Sequence, residues 1–452
     1  MPATPQVNHP RPRRRRQGAN GRTVTVALGA AALLAACSST TPTQNPATTA
    51  GGSTPAATTP GSTSGSAAAG AILKPDKAAM DAVVDKVATD LHQPGMVVLL
   101  NTPQGNYTST HGTLAIDGGG GPVALDTKLR IGSNTKTWIG TAILQMVQEG
   151  KLKLDDPVSK YRPDVPNGAN IPITQLLNMR SGLFNYTETL ELNTALDNEP
   201  AKVWAPDQLL AIAFAHRPYF APDQGYHYSN TNTVLLGVIA EALDKKPLRQ
   251  IFQDRFFTPL GMTSSSFPAN DDPSIPATYA HGYMYGTNVE TIDNPSIPDD
   301  QLAAVRAGTL KPKDTTNDNP SWGWAAGAGI STANDLATWV KAMVGGKLLD
   351  RATQQIRMTG FQPTRPGDPK SPSYSLNLAK VGPLYGHTGE LPGYNSFMGY
   401  DPVHDVTLVV WGNLAPSAEG KPPAVTLAGD LLPLVYAPAT NTPDPIGTDQ
   451  PK

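Results

Sequence analysis

Apolar positions along the chain change period several times, and each change marks an element. In "KPDKAAMDAVVDKVATDLHQPG", Met80, Val83, Val84, Val87 and Leu91 recur at helical spacing, and Pro75 suits a first turn, so a helix is predicted. Two strand signals follow, "MVVLLN" and "NYTSTHGTLAI", joined by a turn that carries Pro103 and Gly105. Helical spacing returns in "RIGSNTKTWIGTAILQMV" through Trp138, Ile139, Ala142, Ile143, Met146 and Val147, and Gly150 offers a C-terminal cap. From Asp155 to about Leu349 helix and loop dominate, with clear helices in "NTVLLGVIAEALDK" and "TANDLATWVKAMVGG". Residues 279–324 hold many Gly, Pro and Asn with little periodicity, which predicts long loops. Strand signals come back in "YSLNLAKV", "PLYGHTG", "NSFMGYD" and "VTLVVWGN", and "AVTLAGDLLPLVY" reads as a last helix.

Strands therefore lie at both ends of the domain and helices in its middle. That order predicts an α+β fold, an α/β/α sandwich in which one antiparallel sheet is flanked by the N- and C-terminal helices. An inserted, mostly helical lobe at about residues 155–350 would form the other wall of a cleft. No internal repeat is visible.

Residues 1–36 fall outside this pattern. "RPRRRRQGANGR" is a basic leader, and "TVTVALGAAALLAA" is an apolar run of signal-peptide length, too short for a stable membrane span. The run ends in "LAAC", which resembles the lipobox of bacterial lipoproteins, in which the cysteine (here Cys37) is diacylated and becomes the new N-terminus. Cys37 is the only cysteine of the 452 residues, which excludes an intramolecular disulfide, a CxxC pair and a multi-cysteine zinc site. Removing residues 1–36 takes away six arginines and no acid, so the formal charge moves from −2 to −8. So anionic a chain is unsuited to neutralising phosphates, and no nucleic-acid partner is expected. Residues 37–71 read as the lipidated cysteine and a Ser/Thr/Pro/Ala/Gly tether, whose root-mean-square span is on the order of 30 Å. Residues 72–436 form the globular domain and 437–452 a polar, flexible tail. These features predict an exported monomer, by the Sec or the twin-arginine route, lipid-anchored to the outer face of the membrane and facing the cell wall.

Three short motifs carry candidate chemistry. In Ser133-Asn134-Thr135-Lys136, positions i and i+3 of a helix share a face, so the amine can approach the hydroxyl, and the helix N-terminus favours developing negative charge. Such a lysine serves as a base only when neutral, which burial favours. In Tyr228-Ser229-Asn230 the phenol can move a proton and the amide can hold a substrate carbonyl. In His387-Thr388-Gly389 the glycine lets a substrate backbone lie along a strand edge. Singly, the second motif is also an ordinary cap ahead of a helix, and the third an edge-strand histidine before a turn.

Together and in this order, the three motifs resemble those of the serine penicillin-recognising enzymes: class C β-lactamases, DD-carboxypeptidases and their esterase relatives. The Tyr-x-Asn and His-Thr-Gly forms look most like the secreted serine D-alanyl-D-alanine carboxypeptidases. The likeness extends over Asp76 to Leu434 and includes "ITQLLNMRSGL", "FFTPLGMTSSSF", "GAGISTANDLATW" and "GELPGYNSF". It implies that Ser133 is the nucleophile, Lys136 its base and Tyr228 the proton carrier. Asn230 would bind the substrate amide, and His387 and Thr388 its carboxylate. The backbone N–H groups of Ser133 and Glu390 would form the oxyanion hole. The implied reaction is acyl transfer on a peptide or β-lactam-like substrate through an acyl-enzyme, without metal or cofactor. A D-alanyl-D-alanine carboxypeptidase is the leading expectation, with a β-lactamase or esterase as its nearest alternatives. A non-catalytic peptidoglycan or β-lactam binder is the alternative of another class.

Two positions depart from the family pattern. Met179 stands where relatives often have a histidine, and no arginine lies in the twelve residues before His387, Lys380 being the nearest cation. A histidine in place of the usual lysine of the third motif further predicts that carboxylate affinity falls as pH rises through roughly 7. Neither HExxH nor a complete GxSxG elbow occurs, and Gly118–Gly121 lacks the third glycine of a dinucleotide fingerprint.

Overall fold

The strand at Gly95–Thr102 is apolar at five successive positions, Met96 to Leu100, because both of its faces are covered. Met96, Val98 and Leu100 pack with Met80, Val84, Leu427 and Leu431, whereas Val97 and Leu99 join Trp138, Ile143 and Trp339 on the opposite face. The computed structural model describes residues 70–438 except Asp117, Pro369 and Lys370. The expected signal segment, Cys37, nearly all of the tether and the tail from residue 439 lie outside the described residues.

In chain order the elements that matter here are α1 (Lys77–Asp90), β1 (Gly95–Thr102), β2 (Gly105–Gly112), α2 (Thr135–Gln148), α3 (Asn230–Asp244) and α4 (Ala333–Val344). They are followed by β3 (Gln362–Pro363), β4 (Ser373–Tyr374), β5 (Ala379–Val381), β6 (Leu384–Leu391), β7 (Tyr394–Asp401), β8 (Val406–Gly412) and α5 (Pro423–Val435). One antiparallel sheet takes the order β2-β1-β8-β7-β6-β5-β4-β3, so the N-terminal hairpin joins the C-terminal strands through β1 and β8. Helices α1 and α5 cover one face and α2 and α4 the other, which is the expected α/β/α sandwich. The ends of the domain meet: Ile72 bridges Tyr436, and the Leu73 N–H donates to the Val435 carbonyl at 2.9 Å. Among the described residues no helix is long and apolar enough to cross a membrane.

Several expectations change. The second strand ends at Gly112, whose φ of +77° turns "TLAI" out of the sheet. "YSLNLAKV" is not one strand but β4 and β5, folded back at Asn377 with φ +50°. That turn reaches α2, where Asn377 Nδ2 donates to the Lys136 carbonyl at 3.1 Å, and a Cβ on Gly140 would stand 2.5 Å from Asn377 Cβ. Residues 279–324 are not all loop: they include helices Asn288–Asp293 and Asp299–Arg306. A capping box of Thr287 and Glu290 starts the first of these, a local signal too short to show as periodicity.

Helix α2 is more than a striped surface helix, since every residue from Thr135 to Leu144 is buried. Its hydroxyls are satisfied locally, Thr137 Oγ1 donating to the Asn134 carbonyl and Thr141 Oγ1 to the Thr137 carbonyl, both at 2.7 Å. Helix α4, expected in the inserted lobe, lies against the sheet instead, with Trp339 Nε1 donating to Thr137 Oγ1 at 2.8 Å. The lobe proper is built from α3 and shorter helices such as Leu190–Asn198 and Pro206–Phe214.

Candidate active site

A cleft of about 480 Å³ opens between the lobe and the β6 edge, and Ser133 lies on its floor. Gly132–Asn134 form a single 3₁₀ turn that leads into α2, leaving Ser133 half-buried while Lys136, one turn on, is fully buried. The turn is pinned to the sheet by close backbone contact. Gly132 has φ +53°, and a Cβ there would lie 2.4 Å from the Glu390 nitrogen; a Cβ on Gly389 would lie 1.8 Å from the Ile131 oxygen. Ser396 Oγ donates to that same Ile131 oxygen at 3.0 Å and accepts from Asn134 Nδ2 at 2.8 Å. The glycine of the third motif thus makes room for the protein's own helix start, and the expectation that it makes room for a substrate backbone is corrected.

The Lys136 amine has three neighbours: Ser133 Oγ at 2.9 Å, Asn230 Oδ1 at 2.6 Å and the Ala326 carbonyl at 2.8 Å. Burial with no ion-pair partner drives its pKa well below the ordinary lysine range. A neutral amine has two hydrogens and one lone pair. The Asn230 and Ala326 oxygens only accept, so they take the two hydrogens, and the lone pair is left for the Ser133 hydroxyl. That is the geometry a general base needs.

Tyr228 closes the trio. Its ring lies over the Lys136 amine, 4.8 Å from nitrogen to centroid, and both it and Ser133 line the cleft. Burial holds this phenol well above its ordinary pKa, with the Ser133 contact opposing, so it is a neutral proton donor. Asn230 opens α3 beside it. Its Oδ1 is taken by Lys136 and its Nδ2 donates to Thr187 Oγ1 at 3.0 Å, which leaves one N–H for a substrate. The side chain therefore orients the amine first, a duty the sequence reading did not give it.

On β6, Leu391 and Tyr394 close the two-residue turn to β7 as a hydrogen-bonded pair, so the N–H groups of Thr388 and Glu390 point away from β7. Strand β5 pairs with β6 only from Leu384 to Gly386, and beyond it that edge faces Gly132 and Ser133. Two N–H groups, from Ser133 and Glu390, are thus available at one end of the cleft.

His387 behaves differently from its expectation. It is 4% exposed; Nδ1 lies 2.6 Å from the Thr388 carbonyl and Nε2 3.0 Å from the Tyr374 hydroxyl. The carbonyl requires a proton on Nδ1, so Nε2 accepts from the phenol and neither nitrogen remains for a carboxylate. Desolvation, reinforced by the nearby Lys136, pushes its pKa down to about 3. The expected loss of carboxylate affinity through pH 7 cannot come from this imidazole. We expect His387→Gln to leave the shape of the acylation-rate profile between about pH 5.5 and 8.5 unchanged. Disappearance of a limb near 7 in stopped-flow acylation by that variant would show that the imidazole titrates after all.

Sequence reasoning missed several contributors. Tyr374, on the short strand β4, fixes His387; Asn185 Oδ1 accepts from the Asn230 N–H at 3.0 Å; and the Ala326 carbonyl holds the amine. Glu188 and His227 face each other at 3.0 Å on the cleft wall. Met179 is buried in a cluster with Tyr374, Tyr226 and Tyr228, so its position serves packing. Lys380 lies over the Tyr385 ring and does not line the cleft; the arginine that does is Arg365, from the loop between β3 and β4. No signal in single-residue spacing points to any of these, because each depends on chain segments far apart in sequence.

The chain is similar to several known proteins. A D-stereospecific amidohydrolase from Streptomyces sp. superposes with TM-score 0.66 at 28% identity, covering 78% of this chain and 98% of that one. The D-amino acid amidase of Ochrobactrum anthropi SV3, solved with L-phenylalanine, gives 0.65 at 25% identity over 78% and 96%. Penicillin-binding protein 4* of Bacillus subtilis (strain 168) is 24% identical over 317 residues, 69% of this chain but only 66% of that protein's length. The family model described as Beta-lactamase matches residues 80–431, nearly the whole described domain, and the chain belongs to the Beta-lactamase family.

Proposed function

We propose that this protein hydrolyses amide bonds that follow a D-residue, in cell-wall peptides or related D-aminoacyl amides, through an acyl-enzyme on Ser133. The observation that carries the reading is the lone pair of a buried amine directed at Ser133 Oγ over 2.9 Å by two pure acceptors. Lys136 takes the hydroxyl proton as Oγ bonds to the substrate carbonyl carbon. The tetrahedral oxyanion sits between the Ser133 and Glu390 N–H groups. When the C–N bond breaks, Tyr228 gives a proton to the departing amine and is reprotonated from Lys136. Water then attacks the ester with the same groups in reverse, releasing the acid and restoring the Ser133 hydroxyl.

The names of the solved relatives, an amidohydrolase and an amidase for D-amino acids, support the D-residue and the amide. D-alanyl-D-alanine carboxypeptidase is the member of this class that the motifs favour. The leader and the "LAAC" lipobox support export and lipid attachment at Cys37, which would place the enzyme against such peptides. β-Lactamase action is the second reading, since it shares the acylation step.

The test is incubation with a fluorescent penicillin and, separately, with D- and L-alanyl amides, followed by intact mass and product analysis. Turnover of the D-amide with a slow penicillin adduct supports the proposal, and rapid penicillin turnover replaces it with a β-lactamase. Silence on every substrate with reversible penicillin binding would make the protein a binder.

A further inference from the structure

We propose that Glu390 is a specificity-determining residue that disfavours leaving groups ending in a free carboxylate and favours those ending in a neutral amide or an amine. It rests on the hydrolase function proposed above and, within it, selects D-aminoacyl amides over the D-alanyl-D-alanine carboxypeptidase that the motifs favour, whose leaving D-alanine ends in a carboxylate.

Side chains alternate along β6, so Thr388 and Glu390 stand on the same face, about 7 Å apart along the strand. Both line the cleft. A substrate carboxylate received at Thr388, the place the family resemblance assigns to it, would meet a second carboxylate one pleat away. Like charges at that distance repel unless a cation stands between them.

Among the described residues no such cation is built into the site. The charged or imidazole side chains lining the cleft are Glu188, His227, Arg365, His387 and Glu390. His387 is neutral with both nitrogens engaged. His227 faces Glu188. Arg365 pairs with Asp368 across 3.1 Å on the β3–β4 loop, with half of its side chain exposed. Glu390 itself has a hydrogen bond from Asn395 Nδ2 at 2.8 Å and, among the described residues, no ion pair. The amide of Asn395 is in turn held from the other side, its Oδ1 accepting from the Ala424 N–H at 2.9 Å. The carboxylate is therefore held in place and left without a counter-charge, which is what a selective filter requires.

The protein that walls the cleft pushes the Glu390 carboxyl above the ordinary range, with Asn395 opposing. Its side chain still has exposed surface, and water reaching it makes this push weaker than full enclosure would give. At pH 8 it is ionised.

The experiment compares two thioesters with the same N-acyl-D-alanyl group at pH 8, one leaving as thioglycolate and one as thioglycolamide. Acylation of Ser133 is followed by intact mass and kcat/KM by thiol release. The wild type is expected to favour the carboxamide by about 10-fold, and Glu390→Gln to bring the ratio close to one. Both probes use the same acyl group and the same Glu390 N–H, so damage to the oxyanion hole cancels in the ratio. An unchanged ratio in Glu390→Gln overturns the proposal while leaving the hydrolase reading intact. So does a wild-type preference for the carboxylate, and its loss in Arg365→Gln would assign that carboxylate to Arg365. Failure of both thioesters to acylate Ser133 sinks the hydrolase reading and this one with it.

Discussion

Lys136→Met is expected to lower kcat/KM by about 10³-fold or more, comparable with Ser133→Ala. The two side chains act as a unit, so removing either removes the step, and the double variant should cost little beyond the single ones. Methionine fills the same tunnel without a charge. It leaves the oxygens of Asn230 and Ala326 without their donor, which costs on the order of 1–3 kcal/mol each. Activity should therefore be compared well below the variant's unfolding temperature.

The same lysine sets a pH signature. With an ordinary pKa, roughly 0.04% of the amine would be neutral at pH 7, and the rate would climb about tenfold per pH unit toward 10. Burial lowers this pKa, so the neutral form is already present near neutrality and the rate falls only as pH drops through the lowered value. A profile still rising steeply from pH 7 to 10 would mean that Lys136 is charged in the folded protein and is not the base.

The second large effect belongs to a residue with no side chain. Gly132→Ala should reduce kcat by about 10²–10³-fold, the range seen when an oxyanion donor is lost. The added Cβ would meet the Glu390 nitrogen at 2.4 Å and the Gly389 carbonyl carbon at 2.8 Å. Both contacts are backbone, so they cannot be relieved by a rotamer change. Alanine also disfavours φ +53°, a strain of about 1 kcal/mol or more. The strand edge and the helix start must separate, and with them the two N–H groups. Circular dichroism should remain close to wild type while kcat drops and KM changes little. If Gly132→Ala acylates within threefold of wild type, this contact is not what positions the oxyanion donors.

Much of the fold was legible because local patterns agree with the tertiary arrangement. The double-sided burial of β1 appears as an unbroken apolar run, and the amphipathic spacing of α1 shows which face meets the sheet. The splitting of "YSLNLAKV" was not legible, because nothing local distinguishes a strand from two short strands whose turn plugs into a distant helix. Burial of Thr135, Thr137 and Thr141 inside α2 was hidden for a related reason: hydroxyls satisfied by their own helix look polar in sequence and behave as core.

By itself the sequence determined the order of elements, the pairing of Ser133 with Lys136 one turn apart, and the family to which the three motifs belong. These are properties of spacing, and spacing along a helix or strand is local geometry. Only the tertiary structure decided the protonation and duty of the groups. It buried Lys136 so that its amine pKa falls, turned Asn230 into its orienting acceptor, engaged both nitrogens of His387, and left Glu390 facing the cleft with no ion pair among the described residues. The first two depend on desolvation and on partners about a hundred residues or more away, Asn230 and Ala326, and the others on neighbouring strands and loops that pack only in the fold.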